Sequence, residues 1–256
     1  MKPRVKWLSP RVTPELASNE IHVWRVPLPT DEAILRSLES TLRKDEKARA
    51  ARFIFERDRV RFVAARGILR DLLGRYLQCA PQAIDFVYGS RGKPAVAVRG
   101  SQPAICFNLS HASALAAIAI GRGREVGIDI ELIRSEFADG GIAKRYFSAK
   151  EIDELSRLPA ELRTEGFFLC WTRKEAYIKA RGDGLHIALD SFDVSLSPDK
   201  PATLSSVDEL RWRIESFVPS LVSEPSYAGA VVAEGKDWMA RYFEWKQLDM
   251  AAIVEE

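Results

Sequence analysis

A chain of 256 residues, 46% apolar and 29% charged, is long enough to bury one large core or two smaller ones, and that composition excludes disorder on a large scale. A net charge of +2 is too small to point to nucleic acid or an anionic membrane as the main partner. Three widely spaced cysteines, Cys79, Cys106 and Cys170, form neither a disulfide framework nor C-x-x-C metal spacing. Each has apolar neighbours and reads as a reduced core residue, which favours a cytoplasmic setting. The opening "MKPRVKWLSPRVTPEL" is interrupted by prolines and lacks the apolar run of a secretory signal. No stretch approaches the roughly twenty apolar residues of a membrane-spanning helix, so a soluble protein is expected.

In chain order, "EIHVWRVPL" (20–28) alternates as a first strand ended by Pro27 and Pro29. Thr30 and Asp31 offer a helix start, and the pattern stays helical to about Leu77, as two or three helices. "AIDFVYG" and "PAVAV" follow as short strands divided by "SRGK", then "AICFNLSH" and "ALAAIAIG" as a further pair. After the "GRGR" turn the order begins again: strand "EVGIDIEL", helices over 142–155 and 165–180 with Gly182 and Gly184 at the end, then strands in "FDVSL", "RWRIESFV" and "YAGAVVAE".

Four stretches carry side chains suited to chemistry. In "GIDIE" (127–131) the strand period places Asp129 and Glu131 on one face and Ile128 and Ile130 on the other. Neighbouring carboxylates repel, so the pair is either a solvated strand face or a cation site whose hard oxygens suit magnesium and a substrate phosphate. In "FFLCWTRKEAYIKARGDGL" (167–185), Phe167, Trp171, Glu175 and Lys179 recur every four residues. That row is a surface ion pair at the end of an apolar stripe, or it brings a third carboxylate to the first two. In "FNLSHAS", Ser110 and His111 point to opposite faces and cannot form a hydrolytic dyad; His111 is a phosphate ligand or a satisfied strand-end histidine. Ten Arg or Lys against four Asp or Glu lie between Arg43 and Arg70. Arg52, Arg59, Arg66 and Arg70 fall near one helical face, solvated or gripping anions, and Lys93 in "RGKP" is another cation on a turn.

Taken together, "RGKP", "FNLSH", "GIDIE", "RYFSAKE" (145–151) and "WTRKEAYIKARGDGL" resemble the 4'-phosphopantetheinyl transferases of the long, surfactin-synthetase-activating type, in order and approximate spacing. The resemblance implies Mg2+-dependent transfer of the phosphopantetheine arm of coenzyme A to a serine of an apo acyl or peptidyl carrier protein, leaving adenosine 3',5'-bisphosphate. It implies Asp129, Glu131 and Glu175 as magnesium ligands, Glu175 also as general base, and Lys179 at the diphosphate. Arg49, Lys93, Ser110 and His111 become coenzyme A contacts, with Arg49 and His111 near the 3'-phosphate. Where some relatives carry another base just before Arg49, this chain has Glu46.

The expected fold is α+β: two similar α/β subdomains with pseudo-twofold symmetry, residues 1–124 and 125–256, with coenzyme A between them and the chain a monomer. A coenzyme-A-binding regulatory module without turnover, or a magnesium-dependent phosphohydrolase, would use the same groups; the third carboxylate speaks against the first, and release of phosphopantetheine without a carrier would mark the second.

Overall fold

The structure, a computed structural model, describes residues 5–97, 103–137, 141–182, 187–219 and 226–247. Strand β1 (Glu20–Pro27) is buried on both faces, with Ile21 and Val23 on one and Trp24 and Val26 on the other. The helical stretch divides into α1 (Glu32–Ser40), α2 (Lys44–Ala50) and α3 (Glu56–Leu77). Each division has a local cause. Asp31 caps α1, its Oδ1 accepting from the amides of Ala33 and Ile34 at 2.9 and 3.0 Å. Glu46 reaches back to accept from the Arg43 amide at 2.8 Å and so opens α2. Gln78 ends α3 in the left-handed conformation at φ 51°.

Strands β2 (Phe86–Tyr88), β3 (Pro94–Val96), β4 (Ile105–Ala112), β5 (Leu115–Arg122) and β6 (Val126–Leu132) follow, then α4 (Gly141–Tyr146), α5 (Ala149–Arg157) and α6 (Ala160–Arg181). The chain continues through β7 (Asp193–Val194), β8 (Leu204–Ser205), β9 (Trp212–Phe217), β10 (Tyr227–Glu234) and β11 (Met239–Glu244). The main sheets run β11-β1-β5-β4 and β6-β10-β9, with β2-β3 and β7-β8 as two-stranded ribbons. All pairings are antiparallel except β11 with β1, where Phe243 lies opposite Trp24.

Alternation along the strands sorts the core into layers. Ala64, Ile68 and Leu72 of α3 pack with Trp24, Ile118 and Ile120 on the outer face of the four-stranded sheet. Ala176, Tyr177 and Ala180 of α6 pack with Ala228, Ala230 and Val232 on the outer face of the three-stranded sheet. Between the sheets, Ile21, Val23, Ala117 and Ala119 meet Ile128, Ile130, Val231 and Trp238. The order is therefore helix, sheet, sheet, helix.

The α+β class stands. The split at 124/125 separates the two main sheets except for β11, which returns from the end of the chain to the first sheet; β8 and β11 had no counterpart in the sequence reading. Helix α6 begins at Ala160, five residues before the expected start, and Gly182 ends it at φ 74°, while Gly184 lies outside the described residues. Cys170 is buried, Cys106 half-buried and all three thiols are free, but Cys79 is exposed rather than in the core, because α3 has already ended at Gln78. Among the described residues no helix is long and apolar enough to cross a membrane.

The "RYFSAKE" stretch acts structurally. Ser148 and Glu151 cap α5 reciprocally, the Ser148 amide donating to Glu151 at 2.9 Å. The same carboxylate accepts from the Val194 amide and from Lys174 Nζ, both at 2.8 Å, with Lys174 and Glu151 almost fully buried. Lys174 spends its other donors on the carbonyls of Leu189 and Phe192 at 2.6 Å. A buried ion pair costs desolvation and is tolerated only when its remaining hydrogen-bonding capacity is met in this way.

Gly127 sets how closely α6 lies on β6. A Cβ there would collide with the Ala176 carbonyl oxygen and with the backbone of Ala180. Gly127→Ala should therefore lower the unfolding free energy by about 3 kcal/mol, measured by urea denaturation, because backbone cannot yield as a side-chain tip can.

Candidate active site at the junction of the two sheets

Strand β4 ends one sheet and β6 ends the other, and the two edges face each other. Side chains cross the junction. Asn108 Oδ1 accepts from the Ile128 amide at 2.9 Å, and Ser110 Oγ donates to Asp129 Oδ1 at 2.8 Å. From the other side α6 brings Lys179, whose Nζ lies 2.6 Å from Asp129 Oδ1 and 3.2 Å from Ser110 Oγ. Asp129 is 3% exposed, and its Oδ2 is buried without a hydrogen-bond partner among the described residues. An orphaned carboxylate oxygen is costly, and a cation is the partner it calls for.

The strand period puts Gly127, Asp129 and Glu131 on the face covered by α6. Opposite the two acids on β10 stand Ala230 and Ala228, small enough to leave α6 room above them. The four-residue row of α6 lies as expected on one side, with Phe167 and Trp171 stacked at 6.4 Å and the two charged members beyond them, half-buried. Glu131 is pushed up to about 7 by burial and by the Asp129 charge, with Lys179 opposing. Burial and Asp129 likewise raise Glu175. All three carboxylates thus share one electrostatic environment. Among the described residues no three His, Cys, Asp or Glu side chains form a ready-made metal cage. Magnesium does not need one, since it takes one or two carboxylates and completes its shell with water and substrate phosphate.

Ser110 and His111 lie on opposite faces of β4, as the period required. Ser110 is turned to Asp129, while His111 stays at the surface, where partial desolvation and the nearby Lys179 and Arg61 charges lower its pKa. Lys93 is tied down: Nζ donates to Glu125 Oε2 at 2.7 Å, to the Ala180 carbonyl at the end of α6 at 2.9 Å and to the Val126 carbonyl of β6 at 3.1 Å. Arg49 is exposed on α2, its guanidinium 5.2 Å from the Phe62 ring, and none of its described bonds reaches the acids. Ser110, Asp129, Lys179, Glu131 and Glu175 are therefore brought together, His111 stands at their margin, Lys93 braces the elements that carry them, and Arg49 lies apart.

The arginine-rich face divides in two. Arg66 and Arg70 do not point to solvent: both bond Glu46, Arg70 Nε at 2.7 Å, and Arg70 is 1% exposed. Burial pushes the Glu46 carboxyl up, but hydrogen bonds from Arg70, the Arg43 amide and Arg66 outweigh it and leave its pKa lowered. Arg59 pairs instead with Glu56 and Glu39 at the surface. Asn108 was passed over in the sequence, where an asparagine in a strand carries no signal of its own.

A crevice of about 220 Å3 opens beside Glu131, lined by Leu132, Arg134, Ile142, Phe167, Phe168 and Trp171. A larger hollow, about 660 Å3 along the outer edge of β9, contains none of the acids.

Residues 125–232 match the family described as the 4'-phosphopantetheinyl transferase superfamily, and residues 24–122 match the one described as 4'-phosphopantetheinyl transferase, N-terminal. The chain is 39% identical over 239 residues to the 4'-phosphopantetheinyl transferase HetI of Nostoc sp., covering 93% of this chain and 98% of that protein. With the 4'-phosphopantetheinyl transferase Sfp of Bacillus subtilis it shares 28% identity over 199 residues, 78% of this chain and 85% of Sfp. A crystal structure of a holo-(acyl-carrier-protein) synthase from Bacillus anthracis in complex with CoA (3',5'-ADP) matches 44% of this chain and 96% of its own, at 22% identity and a TM-score of 0.36.

The raised pKa of Glu131 has a thermodynamic sign. Its folded value of about 7 lies above the roughly 4.3 of an unfolded glutamate, so its ionisation opposes folding. That cost is absent at acid pH, grows as pH rises toward 7 and is complete above it. Metal-free Glu131→Gln should be more stable than wild type by about 1 kcal/mol at pH 8, with the gain vanishing by about pH 4 in thermal melts.

Proposed function

Because the chain belongs to the 4'-phosphopantetheinyl transferase superfamily and is an enzyme of that type, we propose that it moves the 4'-phosphopantetheine group from coenzyme A to a serine of an apo acyl or peptidyl carrier protein, releasing adenosine 3',5'-bisphosphate in a Mg2+-dependent reaction. The observation that carries this reading is the buried Oδ2 of Asp129, without a hydrogen-bond partner among the described residues, beside Lys179 and two acids of raised pKa. Acids that repel one another beside a lysine suit a ligand that is itself a cation joined to a polyanion.

Asp129, Glu131 and Glu175 would hold the magnesium ion, which when bound neutralises charge on the diphosphate oxygens. Lys179 Nζ lies within hydrogen-bond reach of Asp129 and, turned to the diphosphate, would face the oxygen on which charge develops. The carrier serine Oγ forms a bond to the phosphorus bearing the pantetheine arm, the bridging P–O bond breaks, and its electron pair leaves on adenosine 3',5'-bisphosphate. The serine proton passes to Glu175, made more basic by burial and by Asp129. Phosphoryl transfer depends mostly on positioning and charge cancellation, and these residues supply both. Ser110 and His111 would border the phosphates, Lys93 would hold the coenzyme side of the cleft in shape, and exposed Arg49 would meet the 3'-phosphate. The enzyme would act as a cytoplasmic monomer, the two halves of one chain supplying both walls of the cleft.

With coenzyme A, Mg2+ and an apo-carrier, wild type should add phosphopantetheine to the carrier by intact mass. Asp129→Ala and Glu175→Ala should lower the rate at least about a thousandfold while circular dichroism stays native; near wild-type transfer by either would remove these acids from the reaction. Arg49→Ala should raise the KM for coenzyme A about tenfold and leave that for 3'-dephospho-coenzyme A within about twofold. Equal effects would place the 3'-phosphate elsewhere.

A further inference from the structure

We propose that Asn108 is a positioning residue for the transfer reaction: its side-chain amide stands in for the missing strand pairing between β4 and β6, fixing the register of Asp129 and the width of the cleft. The inference rests on the transferase reading of this site and adds to it a residue with no role in the chemistry itself.

Both strands end their sheets, so each turns an unpaired backbone edge toward the other. Such edges pair readily, and direct pairing would bring the backbones to about 4.8 Å and close the line along which Ser110 meets Asp129. The chain answers with a side chain of peptide-like chemistry. Asn108, 8% exposed, offers a carbonyl oxygen that accepts the Ile128 amide at 2.9 Å as a ladder carbonyl would, while keeping the strands apart by its own length. Ile128 immediately precedes Asp129.

Two residues on, and on the same face of β4, Ser110 Oγ reaches Asp129 Oδ1 at 2.8 Å. One strand thus grips the other at a backbone amide and at the next carboxylate. Farther back, Lys93, just before β3, donates to the Val126 carbonyl of β6 at 3.1 Å. The junction is therefore held by side chains, one bonded to a backbone amide and one to a carboxylate, in place of a ladder, and a ladder would leave no room for a diphosphate. Leucine matches asparagine in size but accepts nothing, serine is too short to span the gap, and aspartate keeps an acceptor at the same reach.

The test compares wild type with Asn108→Leu, Asn108→Asp and Phe192→Leu, the last trimming the second core away from the cleft. All four are assayed for carrier modification with coenzyme A and for melting temperature. We expect Asn108→Leu to lose about 30-fold in kcat with the carrier KM within about twofold, because a small displacement of reacting groups is felt in turnover first. Phe192→Leu should melt comparably lower yet keep kcat within about twofold, and Asn108→Asp should recover to within about fivefold of wild type. In hydrogen exchange the Ile128 amide should lose protection in Asn108→Leu and regain it in Asn108→Asp. If Asn108→Leu does not fold, Asn108→Ser takes its place with the same expectation. A kcat loss no greater than that of Phe192→Leu, or an aspartate variant as slow as leucine, overturns the proposal. Absence of transfer by wild type would instead sink the transferase reading itself.

Discussion

Helix α6 can carry its acid and its lysine to β6 only because Gly127 has no side chain. The backbones of Ala176 and Ala180 occupy the space any larger residue would need. Glu175 and Lys179 flank that contact on the helix, and Asp129 and Glu131 follow it on the strand. The small Ala228 and Ala230 on β10 continue the same low surface. Steric absence along one strip of sheet is thus what allows charges 44 or more positions apart in sequence to share one environment.

That environment is unfavourable by itself. Asp129 has one oxygen bonded twice and the other, among the described residues, not at all, and two neighbouring carboxyls are raised above their ordinary range. Other buried carboxylates are satisfied: Glu151 by Lys174 of α6, and Glu46 by Arg66 and Arg70 beneath α2. The contrast separates function from scaffold in physical terms. Both oxygens of Glu151 and of Glu46 have partners, whereas Oδ2 of Asp129 has none among the described residues.

The sequence made the period-two and period-four patterns legible, and with them the faces of β4, β6 and α6 and most of the strands. The resemblance then named the acids. Hidden from it were contacts whose partners are distant in the chain. Nothing near "SAKE" indicates that Glu151 also holds Lys174 and Val194, and nothing near Glu46 tells that it neutralises two arginines. Asn108 acquires meaning only when β6 is laid beside it. Strand β11, reading MARYFE, has a weak alternation and is recruited by the open edge of β1, a tertiary effect that local pattern does not encode.

That recruitment bears on how the molecule is assembled during synthesis. Strand β1 is made well before its parallel neighbour, which follows more than two hundred residues later. Until then Arg25, buried in the finished protein, lacks Glu244, and Asp71 lacks the indole of Trp245. The segment that carries β1 therefore emerges with an open flank that β11 later closes. Completion of the first sheet is thereby timed to the synthesis of β11 rather than to that of the segment that carries β1.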